Sequence, residues 1–289
     1  MTDYRNELLR LCGFEEDEMR EENDRVERAF KKLELDDDDI RSAIAWLKKY
    51  QDIELIGVRK VLRLWLKELI DLIFAREDGK KLVYYGYPTI SGLGITLAVA
   101  DKNLIATCPD VVLCSTLGQI FNKLTPILEA GEANGLPPGH SLCSLQQIRV
   151  GGMAKGIVPV ADMVFTSSYY CDMGSKTDEL IHEKYGHPAT YCDGCIDSKW
   201  AEFPDYLPEK VDFLGAELEK AFVAAKEILG VNVTDEDRVE ALRITDDIFG
   251  ALTTLNDMVD RADPQPISSS TIQLANAPVS YTHLRAHET

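Results

Sequence analysis

The sequence predicts an α/β protein: a Rossmann-like, mainly parallel sheet preceded by a helical N-terminal portion. Three observations predict it. Residues 3–75 repeat their apolar side chains at helical spacing without a strand-like run. From Lys81 the texture changes to short apolar runs closed by Gly or Pro, as at Leu82-Val83-Tyr84-Tyr85 and Ala161 to Thr166. Those runs alternate with amphipathic stretches, the pattern of a sheet whose parallel strands are joined by helices.

Taken in order, Leu8, Leu9, Leu11 and Cys12 form a first apolar stripe, in which Cys12 reads as a small buried hydrophobe. Ile40, Ala43, Ile44 and Leu47 mark a second helix, and Ile56 to Ala75 a longer one. Leu82–Tyr85 reads as a strand, and Asp110–Leu113 as another. Leu117 to Glu129 reads as a helix stopped by Gly131, and Leu142 to Val150 as one ending at Gly151-Gly152. Ala161–Thr166 is the clearest buried strand. Thr177–Tyr185 is a helix with Gly186 at its C′ position, and Pro188–Tyr191 a short strand. Leu214–Leu229 is a helix ended by Gly230. Thr234 caps the next, which runs to about Met258 with acidic residues in its first turn. From Arg261 the text turns loop-like.

These elements divide the chain into a helical region (1–78), an α/β domain (79–232), a helical connection (233–262) and a linker (263–278) toward a second α/β domain expected beyond it. Residues 279–289, Val-Ser-Tyr-Thr-His-Leu-Arg-Ala-His-Glu-Thr, resemble the translation of a transposon sequencing adapter. They are set aside from fold reasoning. On that reading the natural sequence continues past residue 278, and His283 and His287 carry no function.

The formal net charge of −18 excludes broad classes of partner. Phosphate backbones and anionic membranes call for clustered Lys and Arg. The acidic runs Glu15–Glu18 and Asp36–Asp39 read instead as solvated surface. No apolar run approaches the roughly 18 residues of a spanning helix, so no membrane and no nucleic acid is expected. The polar start reads as lacking a secretory signal. Seven cysteines in such a chain predict a reducing cytoplasm, with metal or redox use ahead of disulfides.

Six of those cysteines fall between Cys108 and Cys195. Cys171 follows the Met163–Thr166 strand, Cys192 follows the Ala189–Tyr191 strand, and Cys143 opens a helix. In parallel sheets sites form at the carboxyl ends of strands, and thiolates there suit a soft metal. Cys192-Asp193-Gly194-Cys195 is a CxxC, either half a zinc site or a redox pair, with no second pair at zinc spacing. Cys114 reads as buried. Cys108, before Pro109, is held extended and can face the site. His182 and His187 flank a helix end and complement its dipole. Arg149 and Lys155 bracket Gly151-Gly152, where binding of ligand phosphates is one reading and ordinary surface charge the preferred one. No phosphate-binding loop, dinucleotide fingerprint or nucleophile elbow appears.

The segment Cys143-Ser144-Leu145-Gln146-Gln147-Ile148-Arg149-Val150-Gly151-Gly152, followed after a strand by Tyr170-Cys171-Asp172, resembles the large-subunit family of 2-hydroxyacyl-CoA dehydratases and benzoyl-CoA reductases. The resemblance covers roughly residues 80–260. It implies that Cys143 and Cys171, with a third cysteine from a later domain, hold a [4Fe–4S] cluster. Three thiolates leave one iron open for substrate or water, and a helix start at Cys143 is an electropositive place for an anionic ligand set. The resemblance further implies one-electron reduction of an acyl-CoA thioester, an ATP-dependent activator protein that delivers the electron, and a related second subunit. It leaves Cys192 and Cys195 as secondary candidates, with a double-cubane cluster in a family reductase of small substrates as the alternative. The competing reading is a non-catalytic CxxC metal-binding or electron-carrier protein.

Overall fold

The computed structural model describes residues 2–85, 91–140, 142–167, 172–194 and 207–281. Five helices come first: α1 (Thr2–Leu11), α2 (Glu16–Glu21), α3 (Asn23–Lys32), α4 (Asp37–Tyr50) and α5 (Ile56–Phe74). Their apolar stripes bury Leu8, Leu9, Phe30, Ile40, Leu47, Leu62, Trp65 and Leu69. Cys12 sits in the same core, and burial pushes its thiol up to about 12. The acidic run at Asp36 is more than solvated surface. Asp36 caps α4 by accepting from the backbone N–H groups of Asp38 and Asp39, while the Asp39 side chain accepts from the Asp36 N–H.

The α/β part runs β1 (Lys81–Tyr85), α6 (Ser91–Ala100), β2 (Leu104–Thr107), α7 (Pro109–Leu113), a π-helical turn (Cys114–Gly118), α8 (Thr125–Glu132), α9 (Ser144–Ala154), β3 (Met163–Thr166), α10 (Asp172–Tyr185) and β4 (Ala189–Tyr191). The four strands form one sheet in the order β2-β1-β3-β4, and every pairing is parallel. Val83 pairs with Met163 and Val164 with Ala189. β1 and β3 are covered on both faces, which is why they read as unbroken apolar runs rather than alternating ones.

Two expectations from the sequence change here. Asp110–Leu113 is helical, not a strand. Pro109 occupies the first helical position after Cys108, where its fixed φ and missing N–H suit a helix start. The strand of this region lies just upstream, at Leu104–Thr107. The expected helix over Leu117–Glu129 is interrupted: after the π turn Asn122 adopts φ +50°, and α8 begins at Thr125.

α8 and α9 pack with unusually close backbones. A Cβ on Gly151 would meet the Ile127 carbonyl oxygen at 1.8 Å, and one on Gly131 the Gln147 oxygen at 2.6 Å. Glycine at both positions is what lets the two helices touch.

Gly186 and Gly230 close α10 and α11 (Pro208–Leu229) in left-handed conformations, φ +73° and +70°. Thr234 caps α12 (Asp235–Arg261) through a reciprocal pair with Asp237. The stretch read as loop-like past Arg261 is a loop only to Ser268. Ser269–Tyr281 forms α13, which packs on α5: Leu274 is buried, and Trp65 Nε1 donates to the Leu274 carbonyl at 3.3 Å. Asp52 fixes its start, accepting from Ser268 N and Oγ at 2.7 and 2.9 Å. Its buried face, Thr271 and Leu274, lies inside a Ser/Thr-rich segment, so composition alone concealed it. Among the described residues no helix is long and apolar enough to cross a membrane.

Candidate functional site

The sheet order reverses beside β1. The β1–β2 connection leaves on one side, and the chain then crosses back to place β3 on the other. Ligands of open α/β sheets bind at the strand carboxyl ends around such a reversal. Here those ends are Tyr85, Thr107, Thr166 and Tyr191.

Among the described residues two of these ends carry a thiol. Cys108 follows β2 as the N-cap of α7 and is fully buried. Burial above all, then Asp110, pushes its thiol up. Cys192 follows β4, and its backbone N–H continues the ladder to the Thr166 carbonyl at 2.9 Å. It too is buried, and burial, reinforced by Glu217 and Asp193, raises it to about 11. Cys143 is different: it is half-buried, free, and stands as the N-cap of α9 without a capping hydrogen bond from its side chain. Cys171 and Cys195, the other two candidates, lie outside the described residues. Cys114 is partly buried in the π turn, where burial raises it.

Beneath Cys143 lies a buried ionic cluster that the sequence did not disclose. Arg149 was read as a surface charge, but its side chain is enclosed. Its Nε and Nη2 donate to the two oxygens of Asp110, the latter at 2.7 Å, and its Nη1 donates to Asp178 Oδ1. Asp110 follows β2, Arg149 is on α9 and Asp178 is on α10, so one guanidinium ties three elements together. Buried charges persist only when paired in this way. The Asp110 and Asp178 charges hold Arg149 protonated against the cost of burial. Burial outweighs Arg149 at Asp178 and raises that carboxyl to about 6. Lys155, in contrast, is a surface cation paired with Glu34 at 3.0 Å.

Several buried polar side chains nearby have no partner. Gln146 on α9 has neither amide atom satisfied, and the Thr107 hydroxyl at the end of β2 is likewise alone. His187 is buried, and neither ring nitrogen is hydrogen bonded. Burial and then Arg149 push it down to about 4, so it is neutral at pH 7. Its carbonyl, not its ring, meets His182, at 2.6 Å from Nδ1. Each buried polar group left unbonded costs about 1–3 kcal/mol. Each such group calls for a partner that water, an ion or a ligand can supply.

Comparison with known families settles the lineage. The family described as 2-hydroxyglutaryl-CoA dehydratase, D-component, matches over residues 105–288, from β2 through α13. The chain belongs to that family. It is therefore related to a component of a dehydratase that works with a partner subunit. No curated protein matches the chain.

Family members are generally associated with iron–sulfur clusters. Among the described residues no three His, Cys, Asp or Glu side chains stand together as a metal site. The described donor that fits such a group is Cys143, a free, half-buried thiol at a helix start, with the unsatisfied Gln146 amide one turn behind it. Soft sulfur at an electropositive helix end suits an anionic iron–sulfur centre in kind.

Proposed function

We propose that this chain is the iron–sulfur subunit of a radical-type 2-hydroxyacyl-CoA dehydratase or of a benzoyl-CoA reductase of the same kind. In this reading Cys143 and Cys171 are two of the thiolate ligands of a [4Fe–4S] cluster, and a further cysteine completes the set. When bound, that group supplies one-electron transfer and a Lewis-acidic iron beside an acyl-CoA thioester. Electrons come from an ATP-dependent activator protein, and a related subunit completes the enzyme, in the cytoplasm.

The observation that carries the reading is the Arg149 tie. Arg149 and Asp178 join α9 to α10, each from the second turn of its helix. α9 starts directly after Cys143 and α10 directly after position 171. The tie holds together the two helices that begin after the candidate cysteines, which suits a shared ligand. Cys143 contributes the soft donor. The first N–H groups of a helix lack intrahelical acceptors and favour negative charge at that end. Asp110 and Asp178 hold the guanidinium, and through it α7, α9 and α10 are joined.

Anaerobic iron and sulfide reconstitution of the complete natural gene product with its partner subunit tests the reading. Cys143→Ser and Cys171→Ser should each lose most of the bound iron and the cluster's electron paramagnetic resonance signal. Stoichiometric iron in both variants would overturn it.

A further inference from the structure

We propose that Gln146 is a positioning residue of this metal centre, its side-chain amide donating a hydrogen bond to a sulfur of the group held at Cys143. The inference rests on the cluster reading above. It goes beyond that reading by assigning a neutral side chain the task of setting the centre's reduction potential.

Gln146 is the third residue of α9, one turn along from Cys143 at the N-cap. The N-cap and the third helical residue lie within side-chain reach of one another, as capping boxes show. Gln146 has no solvent exposure, and neither Nε2 nor Oε1 has a partner. It shares a helix face with Arg149, three residues on, which points to Asp110 and Asp178. That face packs toward α7 and α10, not toward water.

The adjacent glutamine gives the contrast. Gln147 Nε2 donates to the Leu128 carbonyl at 2.9 Å and to Glu132 at 3.3 Å, and its Oε1 lies 3.3 Å from His140 Nε2. Both glutamines are buried, but the one that packs toward α8 is fully used, while Gln146 is not. Nor does Gln146 serve as a capping residue. At the third position a glutamine can reach back to the N-cap N–H, yet its amide makes no bond there. A buried amide with both ends idle, one turn below a free thiol, is matched to a group that arrives later.

The chemistry follows from the donor. An amide N–H pointed at thiolate or sulfide draws electron density from sulfur and favours the reduced centre. Hydrogen bonds to sulfur are among the levers that set iron–sulfur potentials. A neutral donor does this without adding a charge.

The test uses the complete enzyme, reconstituted anaerobically, with Gln146→Leu and Gln146→Met. Both keep the bulk and remove the donor. We expect iron and sulfide content equal to wild type and a more negative midpoint potential in each variant. The metal-free Gln146→Leu protein should melt no lower than wild type, because two unsatisfied atoms are gone, and iron loading should raise its melting temperature by less. An unchanged potential at full iron content would overturn the inference, as would folded variants that lose their iron. A wild-type enzyme that takes up no iron would instead sink the cluster reading beneath it.

Discussion

Arg149 and Asp178 meet inside the protein at matching depths, in the second turns of α9 and α10. Removing the guanidinium leaves two buried carboxylates without their cation. Arg149→Met should therefore lower stability by about 3–5 kcal/mol, the usual loss when one partner of a buried pair is deleted. Urea unfolding measures it. A change under about 1 kcal/mol would mean the cluster is more hydrated than its burial implies.

The same cluster makes stability depend on pH through two groups of opposite sign. His187 lies at about 4 in the fold against an ordinary 6.5. Its contribution is present above pH 6.5 and is lost as pH falls toward 4, at no more than about 1.4 kcal/mol per pH unit. Asp178 lies at about 6 against an ordinary 3.8, so its charge is penalised. That penalty is relieved as pH falls from 6 toward 4, and the two effects offset one another there. His187→Gln removes one of them. The variant should gain on wild type steadily between pH 6.5 and 4 in urea titrations, and a constant difference across that range would show that His187 does not titrate.

The thiols should separate by reactivity. Cys143 is half-buried, whereas Cys12, Cys108 and Cys192 are enclosed and pushed upward by burial. Only thiolate attacks alkylating reagents. Iodoacetamide at pH 7.5 should label Cys143 at least about tenfold faster than those three, read by peptide mass mapping of the metal-free protein. Equal labelling of Cys192 would contradict its burial at the end of β4.

Backbone contact between α8 and α9 leaves no room for a methyl group. Gly151→Ala places a Cβ against the Ile127 carbonyl and near the Gly131 nitrogen. Overpacking of this kind costs about 3 kcal/mol. Thermal unfolding should show the loss, while Gly156→Ala, with open space around its Cβ, should be milder despite its left-handed φ of +68°.

What was legible in the sequence was local. Leu82–Tyr85 and Met163–Thr166 announced themselves as buried strands by apolar run and flanking turn residues. Gly186, Gly230 and Thr234 marked helix ends because the physics of a cap is confined to a few residues. The Cys143-Ser144 pair likewise marked a helix start. Pro109 misled, since a Val-rich segment after Cys108 reads as a strand until the proline is weighed as a first helical residue. Arg149 was illegible for another reason. Its partners lie 39 and 29 residues away, and nothing within its own helix distinguishes a buried cation from a surface one. Gln146 gave no signal either, because an unsatisfied amide is a property of packing.

The docking of α13 on α5 sets a schedule for synthesis. Ser268 bonds to Asp52 across 216 positions, and Trp65 to Leu274 across 209. Contacts so remote close late, after the intervening loop entropy has been overcome. On the ribosome the earliest helices emerge with that flank uncovered. They stay so until almost all of the described chain has left the exit tunnel, an interval in which a chaperone has an apolar surface to hold.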